Sequence, residues 1–231
     1  VLSDNAAGSE EWFDGFLPTY SNRVELRSLL DRYLDDDGLR KDTTQKLQEI
    51  VLSRHTYHQR AKQFVGAIGT SVIKPSVAIR IGPPAWDVAN QWGDTHFARH
   101  FARALRNQGF ATEITVVPEW DTLRHQKSDV VLHIRGLTPY PVKPGSFNVL
   151  WIISHPDDVA PEECSRYDLV LVASEPHARK LANRVAVPVH PLLQATDTSV
   201  FRPTAPRDEL KSDAVFVGNS RGRFRPSVQW A

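Results

Sequence analysis

Apolar residues along the chain change period near its first third. From Asn22 to Phe64 they recur mostly at three- and four-residue steps: Val24, Leu26, Leu29, Leu30, Tyr33 and Leu34, then Leu39, Leu47, Ile50, Val51, Tyr57 and Phe64. Asp35-Asp36-Asp37-Gly38 interrupts the series, so the pattern predicts two helices joined by an acidic turn. From Ser76 the pattern becomes short β-branched runs, at 77–81, 112–117, 129–134, 148–153, 168–173, 187–192 and 214–217. The segment 94–108 carries Phe97, Phe101, Ala104 and Leu105 on one face, with Asp94 expected as N-cap and Gly109 as the stop. A second helix is expected over 175–184, with Ser174 as its cap and Pro176 in its first turn. Strands apolar along most of their length and separated by helices predict a parallel sheet covered on both faces. That is an α/β fold, a Rossmann-like doubly wound domain preceded by a helical segment.

Composition fits a globular chain: 41% hydrophobic and 24% charged residues leave room for a core and exclude a disordered or collagenous class. Lys plus Arg is 28 against 27 for Asp plus Glu, so no global field draws the chain to nucleic acid or an anionic membrane. The lone cysteine, Cys164, excludes an internal disulfide framework and favours a reducing compartment. Its acidic neighbours Glu162 and Glu163 point to a raised thiol pKa and a structural role. No run approaches the ~20 apolar residues of a membrane-spanning helix and the first residues lack a signal-peptide pattern, so the expected location is cytoplasmic. The chain contains no methionine, which suggests a processed product or a slice of something longer.

In an open parallel sheet, ligands bind beyond the carboxyl ends of the strands, so candidate chemistry lies in the loops there. After the first run, Gly82-Pro83-Pro84 leads to Trp92-Gly93-Asp94-Thr95, where backbone approach and free N–H groups suit a hydroxyl or anion; capping by Asp94 is the competing and compatible role. After the third run, Arg135-Gly136 can fork onto a carboxylate, phosphate or hydroxyl pair, or pair with a nearby acid. His133, inside that run, reads as a satisfied core histidine. After the fourth comes Ser154-His155-Pro156-Asp157-Asp158. This stretch is similar to the His-Pro-Asp-Asp-Glu run of zinc-dependent LmbE-like sugar deacetylases, but Val159 replaces the Glu and no His-x-x-His pair follows. At the far end, Gly218-Asn219-Ser220-Arg221, continued by Arg223 and Arg225, makes a cationic turn suited to a diphosphate, without the spacing of a Walker loop.

Motif order is more specific than any one motif. A strand closing on Ser174, a helix, then Asp197, Phe201 and Pro203 before the run Ala214–Gly218 resembles the hinge of GT-B glycosyltransferases of the family 4-like group. Gln194-Ala195-Thr196 replaces the usual Asn-Gly before that Asp, and with Arg135-Gly136 and Ser154 to Asp157 this is closest to the CgeB-like, spore-maturation branch. The front of the chain, through Glu11-Trp12-Phe13-Asp14-Gly15, His55-Thr56-Tyr57 and Arg60-Ala61, resembles the closing segment of a C-terminal domain of the same family, where the last five residues would pack a terminal helix. The resemblance therefore implies a tandem protein divided as follows: 1–72 the tail of a preceding glycosyltransferase domain, 73–194 an acceptor-holding Rossmann-like domain, 195–212 a linker and 213–231 the start of a nucleotide-sugar domain. It further implies a metal-independent hexosyl transfer from a nucleotide-sugar co-substrate, with no other cofactor, to a carbohydrate or glycoconjugate acceptor. Gly93, Asp94, Thr95, Arg135, Gly136, His155, Pro156 and Asp157 would border the acceptor, and Gly218, Asn219, Ser220 and Arg221 the donor diphosphate. The isolated chain would then have little or no turnover. A zinc deacetylase and a non-catalytic sugar- or nucleotide-binding module are the alternatives.

Overall fold

The computed structural model describes residues 1–6, 8–69, 75–122, 128–205 and 207–215. They fall into two units, Val1–Ser53 with the described residues from Thr198 onward, and Arg54–Asp197.

In the first unit β1 (Ser3–Asp4) and β2 (Thr19–Tyr20) pair in parallel, with α1 (Ser9–Trp12) between them in sequence. Reciprocal capping starts α2 (Arg23–Asp35): Asn22 Oδ1 accepts the Glu25 N–H at 3.0 Å, and the Glu25 carboxylate accepts the Ser21 N–H at 2.7 Å. Asp36 alone separates α2 from α3 (Asp37–Arg54), and its carboxylate accepts the Leu39 N–H at 2.8 Å. The acidic run thus ends one helix and caps the next. The single helix expected from there to Phe64 is broken, because Thr56 leaves the helical conformation and its Oγ1 accepts the Gln59 N–H at 3.3 Å. Beyond Thr198 the described residues contain a short 3₁₀ turn at Asp208–Leu210. The seventh expected strand has Ala214 and Val215 outside any strand, and its last two positions lie outside the described residues.

The second unit opens with α4 (Tyr57–Ile68) and continues through β3 (Ser76–Arg80), α5 (Trp86–Ala89), α6 (Gly93–Asn107) and β4 (Ala111–Thr115). It is completed by β5 (Val130–Arg135), β6 (Phe147–Ile152), α7 (Pro161–Cys164), β7 (Leu169–Val172), α8 (Glu175–Ala182) and β8 (Val189–Pro191). The six strands form one parallel sheet in the order β4-β3-β5-β6-β7-β8. Alternate residues of each strand feed separate cores. Val77, Ile79, Leu132, Ile134, Val149 and Trp151 pack with α4 and α6, while Ala78, Val131, Leu150, Ile152, Val170 and Val172 pack with Trp120, Tyr140, Cys164 and α8. This is the doubly wound, Rossmann-like arrangement expected from the apolar runs.

On the first face Phe97 and Phe101 of α6 meet Trp151 edge-on at 4.9 and 5.0 Å. Helix α6 ends where its sequence predicts. Gly109 adopts φ +87°, its N–H reaches Arg106 O at 2.8 Å, and the Phe110 N–H reaches Leu105 O at 3.2 Å. Those paired bonds form a Schellman closure that needs a left-handed residue. Helix α4, which the resemblance assigns to the preceding domain, packs on the same face, with Phe64 fully buried and its ring 5.5 Å from Phe101.

Candidate functional site

Strand order reverses once, between β3 and β5, and at such a switch point the loops after the two strands diverge and leave a crevice. Two close approaches define it here. A Cβ on Gly82, just past β3, would lie 3.0 Å from Thr138 Oγ1, which donates to Gly82 O at 3.3 Å. A Cβ on Gly136, just past β5, would overlap the Asp94 carboxylate, falling 3.2 Å from its Cγ. Glycine is needed at 136 because an acid from α6 occupies the space where a side chain would begin.

Asp94 is not the helix cap. Trp92 holds the N-cap position of α6 without a side-chain bond, and Asp94 sits in the first turn. Its carboxylate accepts its own backbone N–H; burial raises its pKa, opposed by that bond and by the His155 ring. The next residue, Thr95, is fully buried, and its Oγ1 has no hydrogen-bond partner among the described residues. Gly93 opens the helix with no atom within 4 Å of a would-be Cβ, so its glycine answers to no packing demand.

His155 is held in the left-handed region at φ +49°, a conformation costing a non-glycine residue ~1–2 kcal/mol. It precedes the 3₁₀ turn Pro156–Asp158, its Nδ1 lies 3.0 Å from Ser154 Oγ, and its ring is exposed toward solvent, as is Asp157. The fold therefore brings Asp94, Gly136 and His155 together from three segments far apart in sequence.

Arg135 is placed differently from a ligand-facing arginine. It is 4% exposed, and its Nε and Nη2 fork onto the Glu163 carboxylate at 2.8 and 3.2 Å. Nη1 donates to Gly136 O at 2.7 Å and Nη2 to Asp158 O at 3.3 Å. Pairing with a nearby acid is thus what the structure contains, and the arginine ties the loop after β5 to the loop after β6. Asp197, the acid of the hinge motif, is also engaged: it pairs with Arg103, and its Oδ2 lies 2.5 Å from His100 Nδ1. Gly218, Asn219, Ser220 and Arg221 lie outside the described residues.

His133 is the buried histidine expected. Thr138 O can only accept, so Nε2, 3.1 Å away, carries the proton, and Nδ1 accepts from Tyr167 Oη at 2.9 Å. Burial, then the Arg135 cation, push its pKa down to about 3. The unfolded ring takes up a proton below about 6.5, whereas the folded ring resists until about 3. The stability this neutral ring contributes is therefore complete above pH 6.5 and is lost as pH falls toward 3. Between pH 6 and 4, urea unfolding of the wild type should lose stability faster than that of H133Q, by about 1.4 kcal/mol per pH unit. Parallel pH profiles for the two proteins would contradict the assignment. Burial first, and then Glu163, raise the Cys164 thiol pKa to about 11, which leaves it an inert core group.

One buried charge was not picked out from the sequence. Arg80 ends β3 at 1% exposure, with its guanidinium 5.1 Å from the centroid of the Tyr140 ring. A cation inside the run Ser76-Val77-Ala78-Ile79-Arg80-Ile81 was the available signal.

Among the described residues no group of three His, Cys, Asp or Glu is arranged to hold a metal ion, and no helix is long and apolar enough to cross a membrane. Neither a curated protein nor a solved structure matches the chain. Residues 1–66, under a third of the 231, match the family described as "Glycosyl transferase-like", a stretch that takes in α1 to α3 and most of α4 but none of the crevice residues.

Proposed function

We propose that the chain is part of a GT-B glycosyltransferase of the family 4-like, CgeB-like branch. In this reading the Rossmann-like sheet holds a carbohydrate or glycoconjugate acceptor, and Gly218, Asn219, Ser220 and Arg221 begin the site for the diphosphate of a nucleotide-sugar donor. The observation that carries it is the convergence of Asp94, Gly136 and His155 at the sheet's switch point, in a chain whose first 66 residues match a glycosyltransferase-like family. Asp94 is a partly desolvated carboxylate with raised pKa, able to accept a hydroxyl proton more readily than an exposed acid. The exposed His155 ring supplies a further polar group for a polyol, while Gly82 and Gly136 let Thr138 and Asp94 pack against the ends of β3 and β5 and so fix the carboxylate in place. Gly93, Pro156 and Asp157 border the same mouth, and Arg135 holds its two loops in register rather than touching the ligand.

Saturation-transfer NMR of the 231-residue chain against neutral saccharides and nucleotide sugars tests this. Wild type should show saccharide signals, weakened about tenfold or more in D94N and reduced in H155A, because a charge-assisted bond to a hydroxyl is worth ~1.5–3 kcal/mol. Full signals in both variants, or none in the wild type, would refute the acceptor assignment. Stoichiometric zinc lost on H155A would instead establish the deacetylase reading.

A further inference from the structure

Large apolar side chains left exposed in the second unit are few among the described residues: Trp86, Leu137 and Phe147. Phe147 opens β6 at the amino end of the sheet, but Trp86 and Leu137 both follow the carboxyl ends of the strands that flank the switch point, β3 and β5. They stand on the two loops that meet where Thr138 Oγ1 reaches Gly82 O. Trp86 is 40% exposed and Leu137 58%. The indole is nonetheless held in place. Its Nε1 donates to Glu119 Oε1 at 2.9 Å, and the other oxygen of that carboxylate accepts the Val116 N–H at 3.3 Å. The Val117 N–H donates to Pro83 O at 3.2 Å, so the loop leaving β3 is tied to the turn after β4 by backbone and side chain alike. Since Glu119 already engages the one polar atom of the ring, what Trp86 has left for a partner is an apolar, oriented face.

We infer that Trp86 is the platform of the acceptor crevice and stacks the C–H face of a neutral pyranose ring, with Leu137 as the apolar edge of that surface. This deepens the acceptor reading above and rests on it. In a pyranose with equatorial hydroxyls the axial C–H bonds gather on the ring faces and carry a small positive charge, which suits the negative π face of an indole. An open-chain polyol gathers no such face. Because the indole is already oriented, binding has little side-chain freedom left to freeze. Charge then selects among rings. The loops leaving β3 and β6, residues 81–93 and 153–160, contain Asp87, Asp157 and Asp158 and no Lys or Arg, and the Glu119 carboxylate lies against the indole itself. On the loop after β5 the cations Arg135 and Lys143 are paired with Glu163 and Asp121. A phosphorylated ring would therefore enter a negative field, whereas a neutral one pays no such penalty.

Saturation-transfer NMR titration of the whole chain with methyl β-D-glucopyranoside, sorbitol and glucose 6-phosphate tests the assignment. The glucoside should receive saturation most strongly on the ring protons of one face, and sorbitol and glucose 6-phosphate should bind about fivefold or more weakly than it does. W86A should weaken glucoside binding about fivefold or more, whereas W86F, which keeps an aromatic face without the N–H, should stay within about threefold of wild type. L137A should weaken it less than W86A. Both positions are substantially exposed, so these variants fold, and their urea midpoints verify it. The platform is overturned if W86A binds the glucoside as the wild type does, if W86F is as weak as W86A, or if sorbitol or glucose 6-phosphate binds as tightly as the glucoside. A wild type that takes other neutral saccharides but no glucoside overturns it as well and leaves the acceptor reading standing. D94N separates the two further: loss of the glucoside in W86A but not in D94N keeps the platform and refutes the part given to the carboxylate, and loss in D94N but not in W86A refutes the platform alone.

Discussion

Replacing Arg60 with alanine destabilises the second unit by about 3–5 kcal/mol, enough to halve the stability of a marginal domain. The side chain is 2% exposed and all three of its nitrogens are engaged: Nε on Leu193 O at 2.6 Å, Nη1 on Arg54 O at 2.7 Å and Gln63 Oε1 at 3.1 Å, and Nη2 on His55 Nδ1 at 2.9 Å. Burial lowers its pKa, the expected direction for a cation that meets carbonyl oxygens and one ring nitrogen at these bonds rather than a carboxylate. Removing it leaves the partly buried Leu193 and Arg54 carbonyls without that donor and opens a cavity beside the buried Ala61, and both costs fall on the same substitution. The tie it breaks is specific. Thr56 and Thr196 form a parallel bridge, with Tyr57 N–H on Thr196 O at 3.0 Å and Thr196 N–H on His55 O at 2.9 Å, so Arg60 fastens the start of α4 to the chain leaving β8. R60K keeps the charge but not the fork and recovers only part of the loss. Urea unfolding gives the energy, and hydrogen exchange at Tyr57 and Thr196 gives the location. An R60A protein within 1 kcal/mol of wild type, with both amides still protected, would show that apolar packing alone seats α4.

The sequence displayed Arg60 only as one letter of a motif, and that illustrates what was legible. The six strands and α6 were readable because each element's own residues decide it: apolar runs long enough to be covered twice, a helical face repeating at Phe97, Phe101 and Leu105, and a glycine placed where a Schellman closure requires one. The break at Thr56 was not readable. Ile50, Tyr57 and Phe64 stay in helical phase across it, and periodicity alone cannot register a cap that keeps the phase. Asp94 was correctly placed at the start of α6 but two positions off the cap, since the run Trp92-Gly93-Asp94 offers more than one starting point and local propensity does not choose between them. Its encounter with Gly136 depends on how two loops 42 positions apart converge, which the strand order fixes and no local pattern encodes. His133 was legible as a core residue, although its partners Tyr167 and Thr138 were not.

Arg135 was the case in which two readings stood level, and it carries the other large effect. R135A should cost about 3–5 kcal/mol, because it leaves Glu163, whose side chain is 15% exposed, as an uncompensated and largely desolvated carboxylate. E163Q should cost less, since the amide oxygen still accepts one N–H of the fork. The informative protein is the double variant R135M/E163L. Removing both charges abolishes the desolvation penalty along with the attraction, so its stability should return to within about 2 kcal/mol of wild type and be clearly better than R135A. Stability and crevice should then part company. The guanidinium also holds Gly136 O and Asp158 O, so the double variant still lacks the link between the loop bearing Gly136 and the loop following His155. It should therefore refold cooperatively yet bind saccharide several-fold more weakly, a combination that neither a purely structural ion pair nor a ligand-touching arginine produces. A structural pair would let the recovered protein bind normally. A ligand-touching arginine would make R135K, which keeps the cation, the better binder, whereas a tie that depends on the fork makes R135K as poor as R135M/E163L. Saccharide titrations of these four proteins beside wild type, each with its urea midpoint, distinguish the three roles.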